Sequence, residues 1–270
     1  MLKLQNPSDT VHALSLQNSG LKPKNQTYLE KFLDVTKSQL FFAKGVILVE
    51  GISEALLMKV FSRKVGETYD IEKTGIEIVN INGVGFEHFA NLFNNAEEAK
   101  NLQTRCALIT DDDRKEIADN PSSRMNNVNA LNGGTLKAFI GAITFEYEMF
   151  LASEVNRALL LSVYSEFHTD TVITIDANMQ IYSKNFVDKV KSQKGKSELA
   201  LRLAIHLENG YELNKAFAKQ ALSNAPLNEE AYLASLVEPS RNDFNAYKNF
   251  KVPNYIERAI KYAVKGEINV

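Results

Sequence analysis

The stretch VILVEGISEAL, Val46 to Leu56, decides the reading of this chain. Val46, Ile47, Leu48 and Val49 form an apolar run without polar alternation, the mark of a strand buried on both faces. Gly51 permits a sharp turn, and a helix is expected to open near Ser53. Glu50 then stands at the strand's C-terminal end and Glu54 in the first helical turn. Placing both there is unusual for structure alone, because strand ends of open α/β sheets are where ligands bind. Taken alone, Glu-x-x-x-Glu at a helix start also serves the helix dipole.

The pattern continues outward. SEALLMKVFSRKVG reads as an amphipathic helix with Leu56, Leu57, Val60 and Phe61 inward, ended by Gly66. GIEIVNINGVG is a second strand closing in glycines, FEHFANLFNNAEEAKNL a second helix, and CALITDDD a third strand ending in Asp111, Asp112 and Asp113. Strands alternating with helices predict an α/β fold, a parallel sheet with right-handed crossovers. Glu50 and the aspartates then finish neighbouring strands at one edge.

Residues 114–138 are polar and rich in Asn and Gly, a loop with at most a short helical start. A short strand near AITFE and a helix follow. KNFVDKVKSQKGKSELALRLAIHLENG gives two more helices, the second from about Ser197 to about Glu208. Ahead of the first strand, Tyr28, Leu29, Phe32, Leu33, Val35, Leu40 and Phe41 trace a roughly helical face, a lead-in helix. From Tyr211 onward the chain is mostly helical, with breaks at Pro226, Pro239 and Pro253. Three parts result: a lead-in segment over 1–40, a core over 41–210 with its polar loop near 114–138, and a helical C-terminal extension over 211–270.

Composition narrows the classes. At 44% hydrophobic and 24% charged over 270 residues, the chain is an ordinary soluble globular protein. Its one cysteine, Cys106, lies in an apolar run and excludes an intrachain disulfide and a cysteine-based zinc site. Four histidines without HExxH or finger spacing argue against zinc altogether. No run approaches the ~20 apolar residues of a membrane helix and no signal-peptide layout opens the chain, so a cytoplasmic protein without membrane contact is expected. The net charge of −2 excludes little, because carboxylates that hold metal offset basic residues that face phosphate.

Consecutive aspartates repel one another, and with Glu50 and Glu54 they bring up to five carboxylates to one sheet edge. Mg²⁺ or Mn²⁺ resolves that repulsion, and Ca²⁺ accepts the same oxygens. Two such ions ~3.5–4 Å apart suit phosphodiester hydrolysis. Lys44, Arg63, Lys64, Arg114 and Lys115 are the basic residues assigned to this edge as candidate DNA-backbone contacts.

The ordered set of Glu50-Gly-x-Ser-Glu54, Val79-Asn-Ile-Asn-Gly-Val-Gly and Asp111-x-Asp113 resembles the Toprim domain of topoisomerases, primases and several nucleases. FLDVTKSQLFFAKGVILVEG, VNINGVGFEHFANLF, TFEYEMFL and KSELALRLA narrow the resemblance to the C-terminal nuclease region of the overcoming lysogenization defect (OLD) family, from about Tyr28 onward. That resemblance implies a Toprim-type, Rossmann-like parallel sheet flanked by helices, with additional helical segments. It implies a DNA endonuclease or nickase using two divalent cations, normally coupled to an N-terminal ABC-type ATPase, with phage defence as a setting. The chain carries no GxxxxGK[ST] phosphate loop and hence no ATP site; residues 1–40 are expected to be the end of that preceding domain. Surplus helices offer surfaces for homo-oligomerisation or for docking the ATPase.

Carried over residue by residue, Glu50, Glu54, Asp111 and Asp113 look like the family's metal ligands. Asp112 is the intervening residue, with ligation through water as its alternative. Thr144-Phe-Glu146 resembles a further element, placing Glu146 at a strand tip as a ligand for the second metal, with Glu148 as fallback. Lys196 resembles the catalytic lysine that supports the charged transition state, with Lys194 two residues away. Rival readings are a topoisomerase or primase of the same fold, a receiver-type phosphoacceptor with Asp111 as acceptor, and a purely structural interaction domain. No tyrosine stands in a recognisable nucleophile context, and receivers open with a different acidic pattern.

Overall fold

The computed structural model describes residues 2–3, 12–13, 21–32, 38–83, 85–170, 172–209 and 249–268. Expectations that fall on residues 33–37 and 210–248, including the breaks at Pro226 and Pro239, lie outside the described residues. Two short strands, β1 (Leu2–Lys3) and β2 (His12–Ala13), pair antiparallel. A lead-in helix, α1 (Pro23–Phe32), buries Leu29 against the sheet layer.

The centre is a four-stranded parallel sheet in the order β4-β3-β5-β6. Its strands are β3 (Gly45–Val49), β4 (Ile76–Asn80), β5 (Arg105–Asp111) and β6 (Leu136–Gly141). Side chains alternate across it. Ile47, Val49, Ala107, Ile109 and Phe139 enter the core on one face, and Val46, Leu48, Cys106, Leu108 and Leu136 the core on the other. Both faces are covered, which is why the strands read as continuous apolar runs.

Helix α2 (Ile52–Val65) leaves β3 after Gly51, with Glu54 in its first turn and Arg63 and Lys64 in its last, the arrangement the helix dipole favours. A single turn, α3 (Ile71–Thr74), leads into β4. The segment from Phe86 to Leu102 corrects the expectation of one continuous helix: α4 spans only Glu87–Ala90. Beyond it Asn95 Oδ1 accepts the Glu97 N–H at 2.9 Å, and Asn101 Oδ1 accepts the Asn95 N–H at 2.6 Å. Asparagine side chains that satisfy nearby backbone groups replace the helical ladder.

The segment expected as loop contains α5 (Ser123–Asn129) and the start of β6. The strand expected at AITFE therefore lies earlier, and those residues instead lead into α6 (Phe145–Ala152). Helices α7 (Glu154–Ser165), α8 (Met179–Ser192) and α9 (Lys196–Asn209) complete that side.

The last described helix, α10 (Asn254–Lys265), belongs to the sheet's own layer. Ile256, Ala259, Ile260 and Ala263 recur at helical spacing and are fully buried against β3, β5 and β6. Each isoleucine buried in this way contributes about 1.5–3 kcal/mol. Gly45 admits the helix, because a Cβ there would run into the Ala263 carbonyl. Arg105 donates from Nε to Ala263 O at 3.2 Å and from Nη2 to Val264 O at 2.6 Å, satisfying carbonyls that helix ends leave open. Buried Asn156 on α7 holds the approach to α10. Its Nδ2 donates to Met149 O and Lys251 O at 3.0 and 2.7 Å, and its Oδ1 accepts the Lys251 N–H at 2.8 Å.

Candidate metal centre

Parallel register brings the acidic residues together. Leu48 pairs with Leu108, so Glu50 falls beside Thr110, whose Oγ1 donates to Glu50 Oε2 at 2.8 Å. Asp111 ends β5 opposite Gly141 of β6. A Cβ on Gly141 would stand 2.8 Å from Asp111 Oδ1 and 3.0 Å from the Tyr255 ring, so only glycine leaves room there. Asp111 Oδ2 accepts the Phe145 N–H at 2.7 Å at the start of α6, and the Tyr255 hydroxyl donates to Oδ1 at 3.2 Å.

Burial, then Glu54 and Glu146, push the Asp111 carboxyl well above the usual carboxylate range, against the lowering effect of the Phe145 hydrogen bond. Burial also raises Glu54, with Glu146 and Glu50 adding to it and Lys196 opposing. Two electrostatically strained carboxyls thus face each other across the β3–α2 and β5 ends.

Glu146 lies in the first turn of α6 rather than at a strand tip, because Thr144 caps that helix: its Oγ1 accepts the Tyr147 N–H at 3.3 Å. Its side chain is 3% exposed and accepts from Lys196 Nζ at 2.8 Å; Lys196 is 38% exposed and opens α9. Burial works against the Lys196 charge, yet Glu146, Asp111 and Glu54 outweigh it and raise its pKa. Glu148 accepts the Ala142 N–H at 2.9 Å. Lys194 is exposed in the turn before α9.

The acidic triplet divides by role. Asp112 is buried on the opposite side of the strand from Asp111, accepting from Ser122 N at 3.0 Å, from Ser122 Oγ, and from Arg114 Nε at 2.6 Å. Burial opposes its charge, but these hydrogen bonds outweigh burial and lower its pKa. Ser122 in turn caps α5, so Asp112 is the anchor of the loop rather than a neighbour of the other carboxylates. Asp113 follows β5 with φ of 56° and reaches Arg124, whose Nη1 donates to Asp113 Oδ2 at 2.6 Å. Arg124 also donates to Glu50 Oε2 and, at 3.2 Å, to Thr110 Oγ1.

Three of the assigned basic residues lie at the other end of the sheet. Lys44 precedes β3, whose far end carries Glu50, and α2 carries Arg63 and Lys64 away from the site over fourteen residues, about 21 Å of helix. The strands are parallel, so residues before a strand or at the close of the returning helix cannot reach its C-terminal end. Arg63 there pairs with Glu208 at 2.9 Å. Arg114 and Lys115 do stand at the acidic edge, with the Arg114 guanidinium engaged by Asp112. A cleft of about 590 Å³ lined by Phe42, Lys59, Glu72, Ile76 and Glu77 opens at the same far end, beside β4.

Arg124 and Tyr255 escape sequence reasoning. Arg124 sits in a segment read as loop, and Tyr255 lies 144 residues from Asp111 in the chain. The one available signal was Ser122 ahead of SRMNNVN, a capping residue for a short helix.

The donor set is all oxygen, the chemistry hard divalent cations take. As the side chains are placed, no three His, Cys, Asp or Glu among the described residues stand together closely enough to hold one ion. Arg124 pairs with Glu50 and Asp113, and Lys196 with Glu146. Residue types and register fit a site for a hard divalent cation.

Residues 41–113 match the family model described as "Overcoming lysogenization defect protein-like, TOPRIM domain". Among solved structures, the C-terminal region of the Burkholderia pseudomallei OLD protein is similar over 73% of this chain and 100% of that one, at 20% identity and a TM-score of 0.43. The C-terminal region of the Xanthomonas campestris pv. campestris OLD protein is similar over 82% of this chain and 97% of that one, at 17% identity and a TM-score of 0.40. No curated protein sequence matches the chain. No helix of the described residues is long and apolar enough to cross a membrane.

Proposed function

Because residues 41–113 are an OLD-like Toprim domain, we propose that this chain is a divalent-metal-dependent DNA endonuclease or nickase module. The observation that carries the reading is the meeting of Glu54, Asp111, Glu146 and Lys196. They come from four separate segments, and burial and mutual repulsion raise two of the carboxyls. A partly buried cluster of this kind is costly to the fold, which supports reading it as a functional site.

Glu50, Glu54, Asp111, Asp113 and Glu146 would hold two divalent cations, Mg²⁺ or Mn²⁺. When bound, such ions supply Lewis acidity toward a phosphodiester and lower the pKa of water. The remaining work falls to the chain. Lys196, charged and fixed on Glu146, faces the charge that develops on non-bridging phosphate oxygens. Phe145 N–H and Tyr255 OH orient Asp111. The Tyr255 hydroxyl is buried, and burial and Asp111 raise its pKa well above the ordinary value, which suits a positioning group and not the nucleophile a topoisomerase requires. DNA as substrate, an ABC-type ATPase as partner, and phage defence as the setting extend this proposal from the family resemblance.

Plasmid cleavage with Mg²⁺ or Mn²⁺ tests it, comparing the full chain with Asp111→Asn, with Lys196→Ala and with an EDTA control. Nicking that requires metal and is lost in Asp111→Asn supports the reading. A drop of about 10²–10³ in rate for Lys196→Ala gives that lysine its role. Equal cutting by all variants, or cutting in EDTA, overturns it.

A further inference from the structure

Arg124 reaches into the acidic cluster from α5 and takes two of its carboxylates at once, Glu50 and Asp113, with Thr110 as a third contact. Nothing in α5 itself requires this. The helix is already held by its Ser122 cap and by the Asp112–Arg114 contacts. We infer that Arg124 is a displaceable internal counter-ion, which occupies Glu50 and Asp113 and competes with divalent cations for them. The inference rests on the metal-site reading above.

Charge supports the exchange. At full ionisation Glu50, Glu54, Asp111, Asp113 and Glu146 carry five negative charges against the two positive charges of Arg124 and Lys196. Withdrawal of Arg124 leaves a net four, the charge that two divalent cations neutralise. Solvation separates the two basic residues. Asp113 is 56% exposed and Arg124 40%, so water receives both groups when they part, and a pair this exposed holds weakly. Glu146 at 3% has no such recourse, so Lys196 remains on it. Asp113 also lies beyond the last residue of β5, where its N–H donates to the Ile143 carbonyl at 3.0 Å while its side chain stays solvated.

Mn²⁺ binding to the full chain, read as loss of the free-ion resonance in electron paramagnetic titrations, tests the competition without any cleavage assay. Arg124→Gln is expected to bind Mn²⁺ about three- to tenfold more tightly than wild type, the scale of one partly exposed charge-assisted contact removed. Arg124→Lys keeps the charge and loses the fork, falls between the two, and carries the test should the glutamine variant not fold. Unchanged or weaker affinity in these variants overturns the inference while leaving the metal site standing. Asp111→Asn serves as the separate control: undiminished Mn²⁺ uptake in that variant, or none in wild type, removes the metal-site reading and the inference with it.

Discussion

Replacing Asp111 with Asn should make the metal-free protein more stable and the metal-loaded protein relatively less so. Burial and the neighbouring Glu54 and Glu146 raise the Asp111 carboxyl well above its ordinary range. A carboxyl raised in the folded state contributes stability that is full below the unfolded pKa, about 3.9, and is lost as pH rises toward the folded value. Asparagine never incurs that loss. Its shape also fits the contacts, with Oδ1 accepting the Phe145 N–H and Nδ2 donating to the Tyr255 hydroxyl in place of the present bond. Against this gain stands the charge-assisted bond from Phe145 and the start of α6, worth about 1 kcal/mol. A net gain of about 1–2 kcal/mol remains, or roughly 2–6 °C in melting temperature for a chain of this size. Melting followed by circular dichroism at pH 8 in EDTA should show it, and at pH 3.5 the two proteins should melt together. Adding Mn²⁺ at a hundred times its dissociation constant stabilises wild type by about 2.7 kcal/mol and reverses the order. An Asp111→Asn variant that melts at or below wild type in EDTA at pH 8, with intact far-ultraviolet signal, refutes the reasoning.

Two further outcomes follow from the fold. Asn156→Leu removes the side chain that satisfies Lys251 and Met149 backbone groups inside the core, and should cost about 2–4 kcal/mol in urea unfolding. Reversing charge at Lys44, Arg63 or Lys64 should change affinity for a short duplex less than twofold by fluorescence anisotropy, because all three stand at the end of the sheet away from the carboxylates, while Lys115→Glu should weaken it several-fold.

The sheet was legible because its strands are apolar on both faces and end in punctuation: Gly51 after β3, the glycines after β4, the aspartates after β5. The alternation of strands and helices put Glu50 and the aspartates at one sheet edge, since a parallel sheet with crossover helices leaves few topologies. Lys196 and Glu146 were legible only through the family motif; by themselves a KGK turn and one more glutamate carry no signal. The break after Ala90 was hidden because FEHFANLF has helical spacing, and what stops the helix is hydrogen bonding by Asn95 and Asn101 across a tertiary turn. Lys44, Arg63 and Lys64 were put at the wrong end of the sheet for a different reason. Sequence proximity to Glu50 says nothing of which end of a strand a side chain occupies, and Lys44 is six residues and a whole strand away. Arg124 and Tyr255 are contacts made by folding alone.

The order in which the site's parts leave the ribosome gives Tyr255 a further meaning. Glu50, Glu54, Asp111, Asp113, Glu146 and Lys196 are all synthesised before α10, yet Asp111 owes its orientation partly to Tyr255, and the sheet owes the cover of one face to Ile256 and Ile260. A nascent chain that already contains every acidic residue still lacks the element that seats one of them. The acidic centre is therefore seated only after α10 has been synthesised, later than every carboxylate it contains.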